Sequence, residues 1–169
     1  VHHLNVSGLD DLQLSASGKI LNAINPQHLF YDLDIKNFTT SAKTIYAILP
    51  KNTIPNNIRV PSKLAVKGKA KGSTQIIKTQ LNLTSTLGDA TIDANVDLRK
   101  KDAEKYTIKG DLKNLDVGTL ISNKDLGKIM AKINAKGVSF NPEKMNAIVD
   151  GTIYSATFNK YTYQNVALN

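Results

Sequence analysis

Apolar and polar residues alternate with a period of two along most of this chain. That period marks a strand with one buried face, because successive side chains point to opposite sides of a sheet. The run Ala90-Thr91-Ile92-Asp93-Ala94-Asn95-Val96-Asp97-Leu98 is the clearest case, with every even position apolar and every odd one polar. The same pattern appears at Leu12, Leu14, Ala16, Gly18 and Ile20, then at Leu29, Tyr31, Leu33 and Ile35, and at Leu64, Val66, Gly68 and Ala70. It returns over 77–83, 106–112, 129–137 and 145–153, and once more around Tyr161, Tyr163 and Val166. About nine strands are expected by this count.

Turn chemistry separates the runs. Leu87-Gly88-Asp89 suits a tight hairpin. Asn25-Pro26 and Asn141-Pro142 mark two more turns, and 100–105 is an exposed charged link. Short links predict that neighbouring strands pair antiparallel, as a meander. Two segments depart from the alternation. Residues 39–49 read as a short helix with Thr39, Thr40 or Ser41 as its N-cap and Pro50 just past its end. Residues 116–122 read as a weaker helical turn with Asp116 as cap. A connector with Pro50, Pro55 and Pro61 follows the first helix. Two short matches suggest a reused unit: Asp34-Ile35-Lys36-Asn37-Phe38-Thr39 with Asp111-Leu112-Lys113-Asn114-Leu115-Asp116, and Asn25-Pro26-Gln27-His28-Leu29 with Asn141-Pro142-Glu143-Lys144-Met145. The organisation expected is a single β-rich segment over 1–169, divisible into two related units of about 1–75 and 76–169.

One-faced strands need a cover for their apolar side. A second sheet would give a β-sandwich. A sheet strongly curled on itself would give a gutter with an open apolar groove. Periodicity does not choose between them. Glycines on the apolar faces (Gly18, Gly68, Gly110, Gly137, Gly151) and small inward residues (Ala16, Ala94, Ala131, Ala135) favour curvature and room inside. The fold class expected is therefore mainly β: a curled antiparallel meander with one or two short helices. The residues expected to line its groove are Leu12, Leu14, Leu33, Ile35, Leu64, Val66, Leu81, Leu83, Ile92, Ala94, Val96, Ile108, Leu112, Ile133, Val149 and Ile153.

Composition narrows the chemistry. The 169 residues are 41% hydrophobic, contain no Cys and no Trp, and carry a formal net charge of +8. Without cysteine there are no disulfides, zinc-thiolate sites or thiol nucleophiles. The positive charge is almost all Lys, with only Arg59 and Arg99 as arginines, and it is spread along the strands. This fits a solvated outer sheet face better than a nucleic-acid interface, where Arg dominates, so no nucleic-acid partner is expected. Residues 68–74 glance at a phosphate loop but lack its spacing and a following helix. Asp93, Asn95, Asp97 and Glu104 mimic a calcium loop with Leu98 where glycine is required. His2 and His3 would point to opposite sides of a strand, and His28 stands apart from both. No nucleophile elbow or carboxylate pair is present. No catalytic residue, cofactor or metal is expected, and the chain reads as non-enzymatic. Val1 opens it without an initiator Met or a signal-like block, and residues 166–169 read as strand. The expectation is a segment of a longer protein, any membrane anchor lying outside it.

From Ser85 onward the order of motifs is familiar. Ser85-Thr86-Leu87-Gly88 precedes a strand, followed by Tyr106-Thr107-Ile108-Lys109-Gly110-Asp111-Leu112, Leu115-Asp116-Val117-Gly118-Thr119-Leu120-Ile121 and Asp125-Leu126-Gly127-Lys128-Ile129. Then come Ala135-Lys136-Gly137, Asp150-Gly151-Thr152-Ile153 and the Tyr-x-Tyr-x-Asn run at Tyr161-Thr162-Tyr163-Gln164-Asn165. This order resembles Bacteroidetes-type members of the TamB family, the translocation and assembly module proteins of the AsmA-like group. The earlier half, with its helix, proline connector and Val60-Pro61-Ser62 leading to Gly68 and Gly72, is similar to the same unit. The resemblance implies an internal segment of a periplasmic β gutter in a Gram-negative bacterium, anchored elsewhere in the inner membrane and serving outer-membrane biogenesis. It implies lipid acyl chains as cargo, or outer-membrane β-barrel proteins as clients whose assembly or secretion is assisted, and no catalytic residues. A structural β-sandwich domain is the plain alternative.

Overall fold

The computed structural model describes residues 3–9, 11–49, 54–141 and 143–168. Ten strands form one sheet: β1 (His3–Leu9), β2 (Leu12–Leu21), β3 (Phe30–Ser41), β4 (Lys63–Ser73), β5 (Ile76–Ser85), β6 (Gly88–Asp97), β7 (Lys105–Asp116), β8 (Leu126–Val138), β9 (Asn146–Phe158) and β10 (Tyr161–Leu168). The order in the sheet is the order in the chain, from β1 at one edge to β10 at the other. All neighbours pair antiparallel. The chain is thus mainly β, as the alternation predicts, and forms a single meander in place of two facing sheets. The sheet is open, with β1 and β10 unjoined, a shape compatible with a curled gutter.

Ten strands are present where the alternation suggests nine. The extra one, β1, was hidden because only Leu4 and Val6 alternate cleanly before Gly8. Two short helices interrupt the meander, α1 (Ala42–Ile48) after β3 and α2 (Val117–Leu120) after β7. The first is shorter than the expected 39–49. Thr39 and Thr40 belong to β3, and Ser41 is the cap, its hydroxyl accepting from the Thr44 amide at 3.4 Å. Pro50 lies outside the described residues. Asp116 caps α2 by accepting from the Thr119 amide at 2.9 Å. The β5–β6 hairpin turns through Thr86-Leu87, one step before the expected Leu87-Gly88-Asp89, and Gly88 already opens β6 opposite Ser85. Met145 sits just before β9 and not within it. The Asn-led turns share one design. Asn25 accepts from the His28 amide through its carbonyl and from the Gln27 amide through its side chain. Asn141 does the same for Lys144 and Glu143. Pro142 itself is outside the described residues.

The matched hexapeptides have a structural meaning. The β3–β4 register shifts between Ile35 and Phe38, and the β7–β8 register shifts between Leu112 and Leu115. In both places a Lys-Asn pair faces a single residue of the partner strand. The extra residue resets the alternation, so Ile35 and Phe38 both stay on the apolar face, as do Leu112 and Leu115. A helix follows the bulged strand in each case.

At Gly68 the backbone adopts φ +135°, and a Cβ there would be driven into the Gln80 carbonyl oxygen of the next strand. Only glycine lets β4 and β5 approach so closely at this point. Residues 68–74 therefore form strand and turn and not a phosphate loop. Few apolar side chains are buried. Among the described apolar residues only Leu12, Ala16, Tyr106 and Ala131 reach that state. Tyr106 lies over Gly137, whose missing Cβ makes room for the phenol ring, and stacks on Phe140 at 4.8 Å and 15°.

Candidate functional site: one uncovered apolar face

Directly paired residues of antiparallel strands share a face, so the register shows which side chains come together. One rung across the sheet runs Val6, Leu14, Phe38, Val66, Leu83, Ala90, Leu112, Ala131, Ile153 and Val166. The next runs Leu4, Ala16, Ile35, Gly68, Leu81, Ile92, Gly110, Ile133, Gly151 and Leu168. A third joins Gly18, Leu33, Ala70, Thr79, Ala94, Ile108, Ala135 and Val149. A fourth joins Ile20, Tyr31, Gly72, Ile77, Val96, Tyr106, Gly137 and Ala147. Leu12 pairs with Leu9, and Leu64 stands between Thr40 and Ser85. Every residue expected to line a groove therefore lies on one face, and no rung contains a charged side chain.

Small residues interrupt the large ones at several points along the rungs. Gly68, Gly110 and Gly151 each sit between Ile or Leu neighbours in one rung. The large side chains can lean over the gaps, which leaves a corrugated apolar surface. That surface is uncovered. Of the expected lining residues, Leu12 is buried, Val149 is 42% exposed, and the others are half-buried. The two helices, of seven and four residues, are too short to roof ten strands. Tyr31 stands on this face, and burial pushes its hydroxyl above the ordinary phenol range.

The opposite face is charged and cross-linked. Lys71 meets Asp32 at 2.7 Å, Lys132 meets Asp111 at 3.8 Å, and Asp93 stands across from Lys109. Such exposed pairs contribute little each, and their role is to keep this side wet. Asp93, Asn95 and Asp97, the apparent calcium-loop residues, stand here in β6. Asp97 is engaged instead by Arg99, with Nε and Nη2 donating at 2.9 and 2.6 Å, which holds its carboxyl down at about 2. Among the described residues, no group of three or more His, Asp or Glu side chains could hold a metal ion. His2 lies outside them.

Sequence reasoning missed Phe38 as a member of the apolar face and left Tyr106 out of the expected groove lining. Phe38 is out of phase with β3 until the Lys36-Asn37 bulge is recognised. Tyr106 sits in an alternating run, so its place was readable, but its packing over Gly137 was not. The edges were also missed. Each of β2 to β9 carries at least one Lys, Asp or Glu, whereas β1 and β10 carry none. Among the described residues, no helix is long and apolar enough to cross a membrane. No family model, curated protein or solved structure matches the chain.

Proposed function

We propose that the uncovered apolar face is a groove for lipid acyl chains, in a periplasmic segment of an AsmA- or TamB-like envelope protein that moves phospholipid between membranes. The observation that carries this reading is the set of continuous, charge-free apolar rungs left half-exposed across ten strands. Contiguous exposed apolar surface beyond a few hundred Å² marks a binding or membrane site in a folded protein. Ten strands at ~4.8 Å spacing span roughly 43 Å along the rungs. One leaflet of a bilayer core is about 15 Å deep, so the face is about three acyl chains long. Each methylene withdrawn from water contributes about 0.8 kcal/mol, so apolar contact alone can hold a chain while the headgroup stays wet. The two bulge-and-helix units, within about 1–75 and 76–169, lengthen one groove by repetition. The mechanism is passive and needs no catalytic residue or cofactor.

Organic extraction of the purified protein followed by mass spectrometry tests the reading. Phospholipid should be recovered from the wild type and lost from Leu81→Asp and Ile92→Asp variants that retain their β-sheet circular dichroism. A natively folded protein that never carries lipid, or Asp variants that carry as much as the wild type, would sink it.

The charge-free edges favour a second reading, as a scaffold that pairs with β-strands of outer-membrane barrel proteins. Strand edges of soluble proteins usually carry Lys or Pro against pairing. Site-specific crosslinking from Thr162 or Gln164 should trap such clients, and recovery of none would remove the reading.

A further inference from the structure

On the charged face, at the end of the sheet that holds the 98–104 and 139–145 turns, the polar pattern is interrupted. A cavity of about 740 Å³ opens there across β5 to β9. The register places Ile76, Asp97, Lys105, Val138 and Asn146 in one row of this face. The next row is Lys78, Asn95, Thr107, Lys136 and Ile148. Three aliphatic side chains thus stand where the other strands carry polar ones, and Ile148 is 70% exposed. A single exposed apolar residue is ordinary, but three gathered at one end of one face form a patch.

Part of the positive charge around it has no carboxylate partner. The one carboxylate of the lining, Asp97, is held by Arg99. Among the described residues, Lys78 and Lys136 have no carboxylate within ion-pair distance. Lys105 faces Asp97 across the strand pair at more than contact distance, and its charge helps to lower the Asp97 carboxyl. Aliphatic surface beside three ammonium groups is complementary to an anionic amphiphile. A phosphate monoester, with close to two negative charges at neutral pH, matches three ammonium groups better than a single carboxylate does. The volume falls within the ordinary range of small-molecule sites.

We propose that this cavity is a second, separate lipid site, which takes the headgroup and first methylenes of a single-chain alkyl or acyl phosphate on the Ile76–Val138–Ile148 surface, with Lys78, Lys105 and Lys136 around the phosphate. Its outward side chains stand on the face opposite the apolar rungs, while Ile77, Val96, Tyr106 and Gly137 of the fourth rung also border it, so it is tested separately from the groove.

The test is an NMR titration of the whole chain with dodecyl phosphate below its micelle concentration, set beside dodecanoate and dodecylphosphocholine. Dodecyl phosphate should move the amide resonances of Lys78, Val138 and Ile148 and bind at least tenfold more tightly than either companion. The K78Q/K136Q double variant should bind at least tenfold more weakly, as should Ile148→Asp, while Lys19→Gln on the distant strand β2 should leave the affinity unchanged. Shifts confined to the inward rungs, equal affinity for dodecanoate or dodecylphosphocholine, or full affinity in K78Q/K136Q would each overturn the proposal.

Discussion

Gly68 and Gly110 occupy the same apolar rung, yet replacing each with alanine should have very different consequences. At Gly68 the backbone has φ +135°, a region that L-residues reach only with about 1–3 kcal/mol of strain. A Cβ there would overlap the Gln80 carbonyl oxygen and lie 3.0 Å from both the Gln80 carbonyl carbon and the Leu81 Cα. These are backbone atoms of β5, so relief requires the two strands to part. Parting strains the local ladder, whose hydrogen bonds are worth about 1 kcal/mol each. Gly68→Ala should therefore cost about 3 kcal/mol or more. At Gly110 the nearest atom to a new Cβ is Ile133 Cγ1 at 3.3 Å, the flexible part of a half-buried side chain. A few tenths of an ångström of movement by Ile133 is enough. Alanine also restricts the unfolded chain, which returns roughly 0.4–1 kcal/mol. Gly110→Ala should stay within about 1 kcal/mol of wild type. Urea unfolding followed by circular dichroism separates the two. With a slope of about 2 kcal/mol per molar, Gly68→Ala should lower the midpoint by roughly 1.5 M and Gly110→Ala should move it by less than about 0.5 M. Equal midpoints for the two variants would refute the argument that close β4–β5 approach, and not glycine content in general, shapes this sheet.

The other predictions concern packing, caps and edges. Tyr106→Ala should cost about 3 kcal/mol, because it removes the ring over Gly137 and the stack on Phe140, while Tyr106→Phe should stay within about 1 kcal/mol; thermal or urea midpoints decide. Asp11 accepts from the Thr44 hydroxyl at 2.6 Å, and bonds from Thr44 and then Ser41 hold its carboxyl below the usual range. Thr44→Val should return Asp11 toward ordinary titration, read by carboxyl NMR. Asp97 titrates at about 2, below its ordinary 3.8, through its bonds to Arg99. A depressed carboxyl stabilises the fold above the ordinary value and loses that contribution as pH falls toward 2, so Arg99→Gln should raise the Asp97 midpoint and flatten acid unfolding in that window. Gln164→Lys on β10 should suppress any strand-edge association seen by light scattering, and an unchanged profile in an associating sample would show that the edge is not the contact.

The alternation made the sheet legible because it is a property of each strand alone. Leu81, Ile92 and Ile133 could be assigned to one face without knowing their neighbours. Neighbours then follow from the short links, since Thr86-Leu87 leaves β5 and β6 no partner but each other. What the pattern did not carry was anything set by an irregularity. The Lys36-Asn37 and Lys113-Asn114 bulges shift phase by one residue, so Phe38 and Leu115 look misplaced to a strict period of two. The shared hexapeptides were visible as a repeat, but their meaning as bulges depends on the partner strand being one residue shorter there. Likewise, β1 offers too few apolar positions to be read alone and forms because β2 presents a complementary ladder.

The same reasoning explains why the apolar face was readable and the cavity on the charged face was not. A groove built from alternation repeats its signal in every strand, so Leu33, Val66, Ala94 and Ile108 reinforce one another. The outer cavity depends on three exceptions, Ile76, Val138 and Ile148, each of which is unremarkable in its own strand. Ile76 reads as the start of an apolar run, Val138 as the end of one, and Ile148 as part of an Ile148-Val149 pair. Only the register brings them to one end of one face beside Lys78, Lys105 and Lys136. In a meander of this kind, single-strand periodicity carries what the sheet does along its length. Features that arise where several strands break the pattern at the same rung become visible only with the register in hand.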